Sequence, residues 1–172
     1  MSLLTVLAPI VMIAAITLTT TYSDRFLKNR IIEMKKLADI SIGNHLNVNS
    51  VGDAISIMES MNYYPDTLDY TKIPQETLKV GGGDCEDLAV LSYSLLMHLY
   101  NNGRIRYEPN IAIAYDDFNQ EAHAFTYFYC PRCNEYYIFS NNIVFRAASP
   151  EEAAKMLGYS KVIKGEEVIG LW

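Results

Sequence analysis

Apolar side chains recur at three- and four-residue spacing at Leu88, Leu91, Leu95 and Leu99, which predicts a helix with one buried face beginning near Cys85. Upstream, Phe26, Ile31, Met34, Leu37 and Ile40 repeat at roughly helical spacing, and Ser50 is placed to cap a helix over Val51–Met61. Downstream the rhythm changes. The runs around Arg104–Tyr115, His123–Tyr129, Glu135–Ser140 and Ile143–Ala147 are rich in β-branched and aromatic residues and are broken by turn residues, so they predict strands. Ser149 and Glu152 have the spacing of a capping box for a short helix ending near Met156, and the tail GEEVIGLW is expected to add a last strand. Helices first and a meander of strands afterwards give an α+β domain, its central helix packed on an antiparallel sheet.

The amino-terminal pattern is different again. Residues 3–22 carry no charge and are long enough to cross a bilayer as a helix. A cleaved signal peptide is the competing reading, but no basic region precedes the stretch and it exceeds a usual signal core. We therefore expect a single-pass anchor over 1–22, a juxtamembrane helix and linker over 23–49 and one domain over 50–172. The segment Arg25–Ile40 either extends the anchor as a stalk or packs on the domain, and its basic residues suit anionic headgroups. Arg25, Lys28, Arg30, Lys35 and Lys36 follow the span, which favours a cytoplasmic domain.

Candidate chemistry sits where the central helix starts. In GGGDCEDLA, Asp84 can cap the helix and Cys85 falls on its first turn, where the backbone dipole favours thiolate. Gly81, Gly82 and Gly83 are expected to let a backbone or substrate approach the thiol. The acidic neighbours Asp84, Glu86 and Asp87 oppose ionisation unless they point away or bind a cation. A buried cysteine of no chemical consequence is the plain alternative. His123, at the head of a strand, offers a base that need not be near in sequence. His45 and His98 lack such a setting and are read as structural.

The run PQETLKVGGGDCEDLAVLSYSLL and the later HAF resemble the transglutaminase-like superfamily, especially its bacterial and archaeal cysteine-peptidase-like members, over roughly residues 51–145. The resemblance implies a papain-like core with Cys85 as nucleophile and His123 as general base, acting on peptide or glutamine amide bonds. It also implies an Asp near the end of the following strand, and here the sequence departs from the pattern. Ser140 stands about where that Asp would fall, followed by Asn141 and Asn142. A turn centred on Pro131 and Arg132 would put position 123 opposite 140. An Asn can orient a His, as in papain-like enzymes, and a Ser can do so more weakly; neither stabilises imidazolium as a carboxylate does. The missing acid favours the rival reading, a catalytically decayed binding or assembly module at the membrane.

Similar peptidases hold calcium with acids beside the nucleophile, which makes Asp84 and Glu86 candidate ligands; Asp87 is read as a helix-cap carboxylate. Cys130 and Cys133 flank Pro131 and Arg132 at a hairpin tip, as in half of a zinc knuckle, but the chain has no second pair. Zinc shared between copies in a homo-oligomer, a local disulfide and free thiols all remain open. No cofactor is required by the main reading. The net charge of −6, without a basic stripe outside the juxtamembrane segment, argues against nucleic acid as a partner and leaves a protein or peptide substrate and the membrane. The thirteen tyrosines are expected mainly on half-buried sheet faces.

Overall fold

The computed structural model describes residues 24–65, 70–116 and 121–168. The uncharged span 3–22 and the last four residues of the tail lie outside them. Among the described residues no helix is long and apolar enough to cross a membrane.

The chain is helical over 24–37 (α1), then forms α2 (Ile42–His45), α3 (Val51–Ser60) and β1 (Asn62–Tyr63). After these come α4 (Pro74–Val80), β2 (Gly82–Gly83) and the long α5 (Cys85–Asn101). Strands β3 (Asn110–Tyr115), β4 (Ala122–Cys130), β5 (Glu135–Ser140) and β6 (Ile143–Ala147) lead to α6 (Pro150–Met156) and β7 (Lys161–Lys164). The sheet runs β6-β5-β4-β3-β7 and every pairing in it is antiparallel. This is the α+β arrangement expected from the order of elements.

One face of the sheet carries α5. Leu88, Leu91, Leu95 and Leu99 are all fully buried there, packed with Ala54 and Met58 of α3 and with Phe128 and Phe139 of the sheet. The helix is buried almost all round, because α1 covers its other flank: Leu27, Ile31 and Met34 pack with Ala89, Val90 and Tyr93. Of the two placements open to the Arg25–Ile40 segment, packing on the domain is the one observed. The opposite face of the sheet is closed by α6, whose Ala153 and Ala154 meet Phe125, Tyr127 and Ile138. Alternation along β4 decides which side each residue serves: Ala124, Thr126 and Phe128 face α5, while Phe125 and Tyr127 face α6.

The Ser50 cap forms as the sequence predicts, while the box expected at α6 is half formed, since the Glu152 carboxylate accepts from the Ala148 amide and not from that of Ser149. Ser50 and Asp53 make a capping box on α3, and the Ser149 hydroxyl accepts from the Glu152 amide at 3.1 Å to start α6. Three further expectations need correction. The first strand begins at Asn110 rather than Arg104, since Pro109 has no amide to give the ladder and disfavours regular structure before it. The last strand is Lys161–Lys164; the GEEV of the tail forms a 3₁₀ turn, Gly165–Val168, instead of extending it. The β4–β5 turn spans residues 131–134, not two residues: Cys130 pairs with Glu135, and Asn134 takes the left-handed conformation (φ 55°) that closes the longer loop.

Candidate functional site

Cys85 is the first residue of α5, on the turn that Asp84 caps. The Asp84 carboxylate accepts from the amides of Glu86 and Asp87 at 3.0 and 3.1 Å, and Asp87 accepts in return from the Asp84 amide at 3.1 Å. The preceding glycines are needed for packing, not for a ligand. Gly81 ends α4 in the left-handed region (φ 74°). A Cβ on Gly82 would lie 2.0 Å from the Asn62 carbonyl oxygen, and one on Gly83 would lie 2.3 Å from the Asp87 carboxylate. The room expected for substrate is therefore filled by the protein itself at Gly82 and Gly83, whereas a Cβ on Gly81 would meet nothing within 4 Å. The parallel β1–β2 contact, Asn62↔Gly82 and Tyr63↔Gly83, sets Tyr63 beside the start of α5.

The acidic neighbours of the thiol have separate fates. Asp87 turns inward, fully buried, and accepts from the Lys72 amide at 2.6 Å and pairs with its ammonium at 2.7 Å. Glu86 is held by Arg30, with an Nε contact at 3.1 Å, and by the Thr71 hydroxyl at 2.7 Å. These non-local clamps pin α1 and the segment around Lys72 to the first turn of α5. Asp84 is committed to its cap and Glu86 to Arg30, and among the described residues no group of three or more His, Cys, Asp and Glu could hold a metal ion. Both cap bonds fall on Asp84 Oδ1, so this geometry is compatible with calcium at Asp84 and Glu86 but does not by itself build a site for it.

Burial governs the titration of the thiol. It pushes the Cys85 pKa up to about 11, and Asp84 and Glu86 add to the rise; hydrogen bonds from the Ala124 amide and from its own amide oppose it. Burial thus opposes the ionisation that the helix start favours. Burial likewise lowers the His123 pKa, so imidazole is neutral there. The two residues are resting as neutral thiol and neutral base.

What the two residues share is the neighbourhood of Tyr159. Pairing of β4 with β5 stops at Thr126↔Phe139, and the Ala124 amide, beyond that last pair, faces the sulfur. His123 is the next residue back along β4. Its Nε2 lies 2.8 Å from the Ser140 hydroxyl, which is buried at the end of β5. The Tyr159 ring stacks on the imidazole (centroids 6.1 Å, planes 7° apart), and its phenol is raised by burial and then by the nearby Cys85. No hydrogen bond joins thiol and imidazole directly. The longer β4–β5 turn shifts the register by two residues, so Ser140 reaches His123 diagonally rather than from directly opposite. Asn141 is left-handed (φ 54°) in the tight turn where Ser140 pairs with Ile143, and its Oδ1 is buried with no hydrogen-bond partner among the described residues.

The remaining sequence candidates lie elsewhere. Cys130 and Cys133 are free thiols at the β4–β5 turn, where the Cys133 amide points at the Cys130 sulfur from 3.3 Å. Two thiols are half a zinc set, and the described residues bring no further ligand to them. His98 is structural as expected, buried with Nε2 3.0 Å from the Val48 carbonyl. Tyr63, Tyr159, Lys72 and Arg30 carried no sequence signal for this site, because each reaches it through the fold.

No family model matches the chain, and no curated protein matches it. Among solved structures it is similar to LapG from Legionella pneumophila, at 25% identity and a TM-score of 0.45 over 72% of this chain and 65% of that one. The calcium-bound and EGTA-treated forms of LapG are similar to the same degree, each at 25% identity and a TM-score of 0.44 over 72% of this chain. The chain spans 64 to 66% of the length of these structures.

Proposed function

We propose that the chain is a membrane-anchored, transglutaminase-like cysteine hydrolase or acyltransferase acting on peptide or glutamine amide bonds. What supports the reading is Cys85 on the capped first turn of α5, and a His123 whose Nε2 meets Ser140 and whose ring stacks on Tyr159, itself near Cys85. With Nε2–H donating to the Ser140 oxygen, Nδ1 is left as the base. A modest rotation of the thiol from Ala124 toward Nδ1 starts the reaction, in keeping with catalytic hydrogen bonds that tighten only with substrate bound. The sulfur attacks the carbonyl carbon while its proton passes to Nδ1, and the carbonyl π pair moves onto oxygen. Collapse expels the amine, which takes the proton from imidazolium and leaves a thioester on Cys85. Water then gives a carboxylic acid, or an amine gives a new amide, and the thiol is restored. The amides of Glu86 and Asp87 are spent on the cap, so the oxyanion donor at the helix start is the Cys85 amide, released from its own sulfur once the sulfur bonds to the substrate carbon.

The uncharged span 3–22 supports the anchor, and the basic residues after it support a cytoplasmic domain. The second reading, a binding or assembly module with a decayed triad, is favoured by specific observations: a thiol held at about 11 and a hydroxyl where a carboxylate would orient the base. Labelling by a peptidyl vinyl sulfone separates the two, using the full chain with Cys130→Ser and Cys133→Ser to silence the other thiols. An enzyme is labelled at Cys85 much faster than by iodoacetamide of matched concentration, and His123→Ala abolishes that advantage. Equal labelling with and without His123 gives the site to the binding module.

A further inference from the structure

At the far end of α5 lies a second feature that the candidate site does not use. A groove of about 930 Å³ opens between the segment after α5 and the β4–β5 turn, lined among others by Arg104, Arg106, Arg132, Phe128, Tyr129 and Tyr137. A seventeen-residue α5 places it about 25 Å from Cys85, at 1.5 Å rise per residue. It is separate from the thiol's corner.

Its charge is the opposite of the molecule's. The chain carries a net charge of −6, yet the groove is lined by three arginines and by no Asp or Glu. All three are exposed, and none forms an ion pair among the described residues. Glu135, which pairs with Cys130 across the hairpin, is already bound to Arg146 at 3.2 Å and does not neutralise them. The guanidiniums come from both sides of the groove: Arg104 and Arg106 from the segment after α5, Arg132 from the turn.

The walls between them are aromatic and braced. Phe128 and Tyr137 stack with centroids 5.3 Å apart and planes 5° apart. Tyr129 meets Tyr107 edge-on at 5.3 Å, and its hydroxyl donates to Asn134 at 2.8 Å. Arg106 sits over the Tyr107 ring, 5.8 Å from its centroid. Such rings lose little freedom when a partner settles on them, and arginines beside them supply planar donors for carboxylates.

We propose that this groove binds an acidic segment of a partner protein, its carboxylates on Arg104, Arg106 and Arg132 and its apolar side chains on the aromatic walls. The size suits a few residues of peptide. A nucleic acid is the poorer occupant, because three guanidiniums on an acidic protein make no continuous track for a phosphate backbone.

Fluorescence anisotropy tests this on the full chain in mild detergent, with a labelled acidic octapeptide of glutamate and phenylalanine. A lysine–phenylalanine octapeptide and an oligothymidylate of equal length serve as comparisons. The acidic peptide should bind best, and the Arg104→Ala/Arg106→Ala/Arg132→Ala variant should weaken it at least about tenfold, as loss of several charge-assisted contacts implies. Salt raised from about 50 to about 300 mM should weaken it several-fold, since surface charge is screened over a shorter length. Cys85→Ala should bind like the parent, which separates this proposal from the catalytic reading. Tighter binding of the oligothymidylate, equal binding of the basic peptide, or an unchanged triple variant that melts like the parent would each overturn it.

Discussion

Asp87→Ala should be the most damaging single substitution near the candidate nucleophile, although it removes only a short side chain. The carboxylate is fully buried and has three partners: the Asp84 amide at 3.1 Å, the Lys72 amide at 2.6 Å and the Lys72 ammonium at 2.7 Å. Removing it leaves two amides that the fold keeps near the interior, at about 1–3 kcal/mol each when no partner replaces it. The lysine is less of a problem, since its side chain is 21% exposed and finds water. The two amides together give about 2–6 kcal/mol, which brackets the about 3–5 kcal/mol typical of losing one partner of a buried pair. Asp87→Asn keeps an acceptor but not the charge, and should fall at roughly half that loss. Urea unfolding followed by far-UV circular dichroism measures both, with the slope m checked for constancy. A loss below about 1 kcal/mol for Asp87→Ala, with m unchanged, would mean the site relaxes around the gap and that the Lys72 clamp is not what fixes the helix start.

Ser140→Asp puts a carboxylate beside His123 Nε2, now 2.8 Å from a hydroxyl; it should raise the imidazole pKa and speed vinyl sulfone labelling of Cys85, and slower labelling in a folded variant refutes that orientation. Stability should decline on both sides of neutrality. His123 is held below its ordinary value, so the unfolded chain binds the extra proton first, and stability present above about pH 6.5 is lost as pH falls; His123→Phe should flatten that acid limb. Cys85 is held at about 11, so the unfolded thiol ionises first, and stability should fall as pH rises from about 8.5 toward that value, an alkaline limb that Cys85→Ala should remove.

What the sequence made legible was local. The start of α5, its Asp84 cap, the buried leucine face and the two serine caps each depend on residues within a turn of one another, and all are found. The spacing of His123 and Ser140 also brought the right pair together, even though the turn between the strands is two residues longer than the arithmetic assumed. A shift of two keeps every side chain on its face of the sheet, whereas a shift of one would have sent Ser140 to the wrong side. The electrostatics were not legible. Whether Asp87 opposes the thiol or turns inward depends on Lys72, and Glu86 depends on Arg30, 56 residues away. The burial that pushes the Cys85 thiol up was not legible either, because burial depth is a property of the packed fold and no local pattern reports it.

For Cys85 and His123 to act as proposed, their resting state must change. At rest, the sulfur is spent on the Ala124 amide and His123 is desolvated under Tyr159, so each group is neutral and neither activates the other. Proton transfer between them makes an ion pair, which gains from mutual attraction in a buried site but needs imidazolium to be held. A carboxylate at the end of β5 would do this permanently; the Ser140 hydroxyl accepts a hydrogen bond and supplies no charge. The stabilising charge must then come with the reaction itself, as the oxyanion forms and the thiolate is consumed in the same step. A site built this way is quiet toward simple alkylating agents and responds to an acyl substrate, and that contrast is the reason the His123-dependent advantage of the vinyl sulfone over iodoacetamide decides between enzyme and binding module.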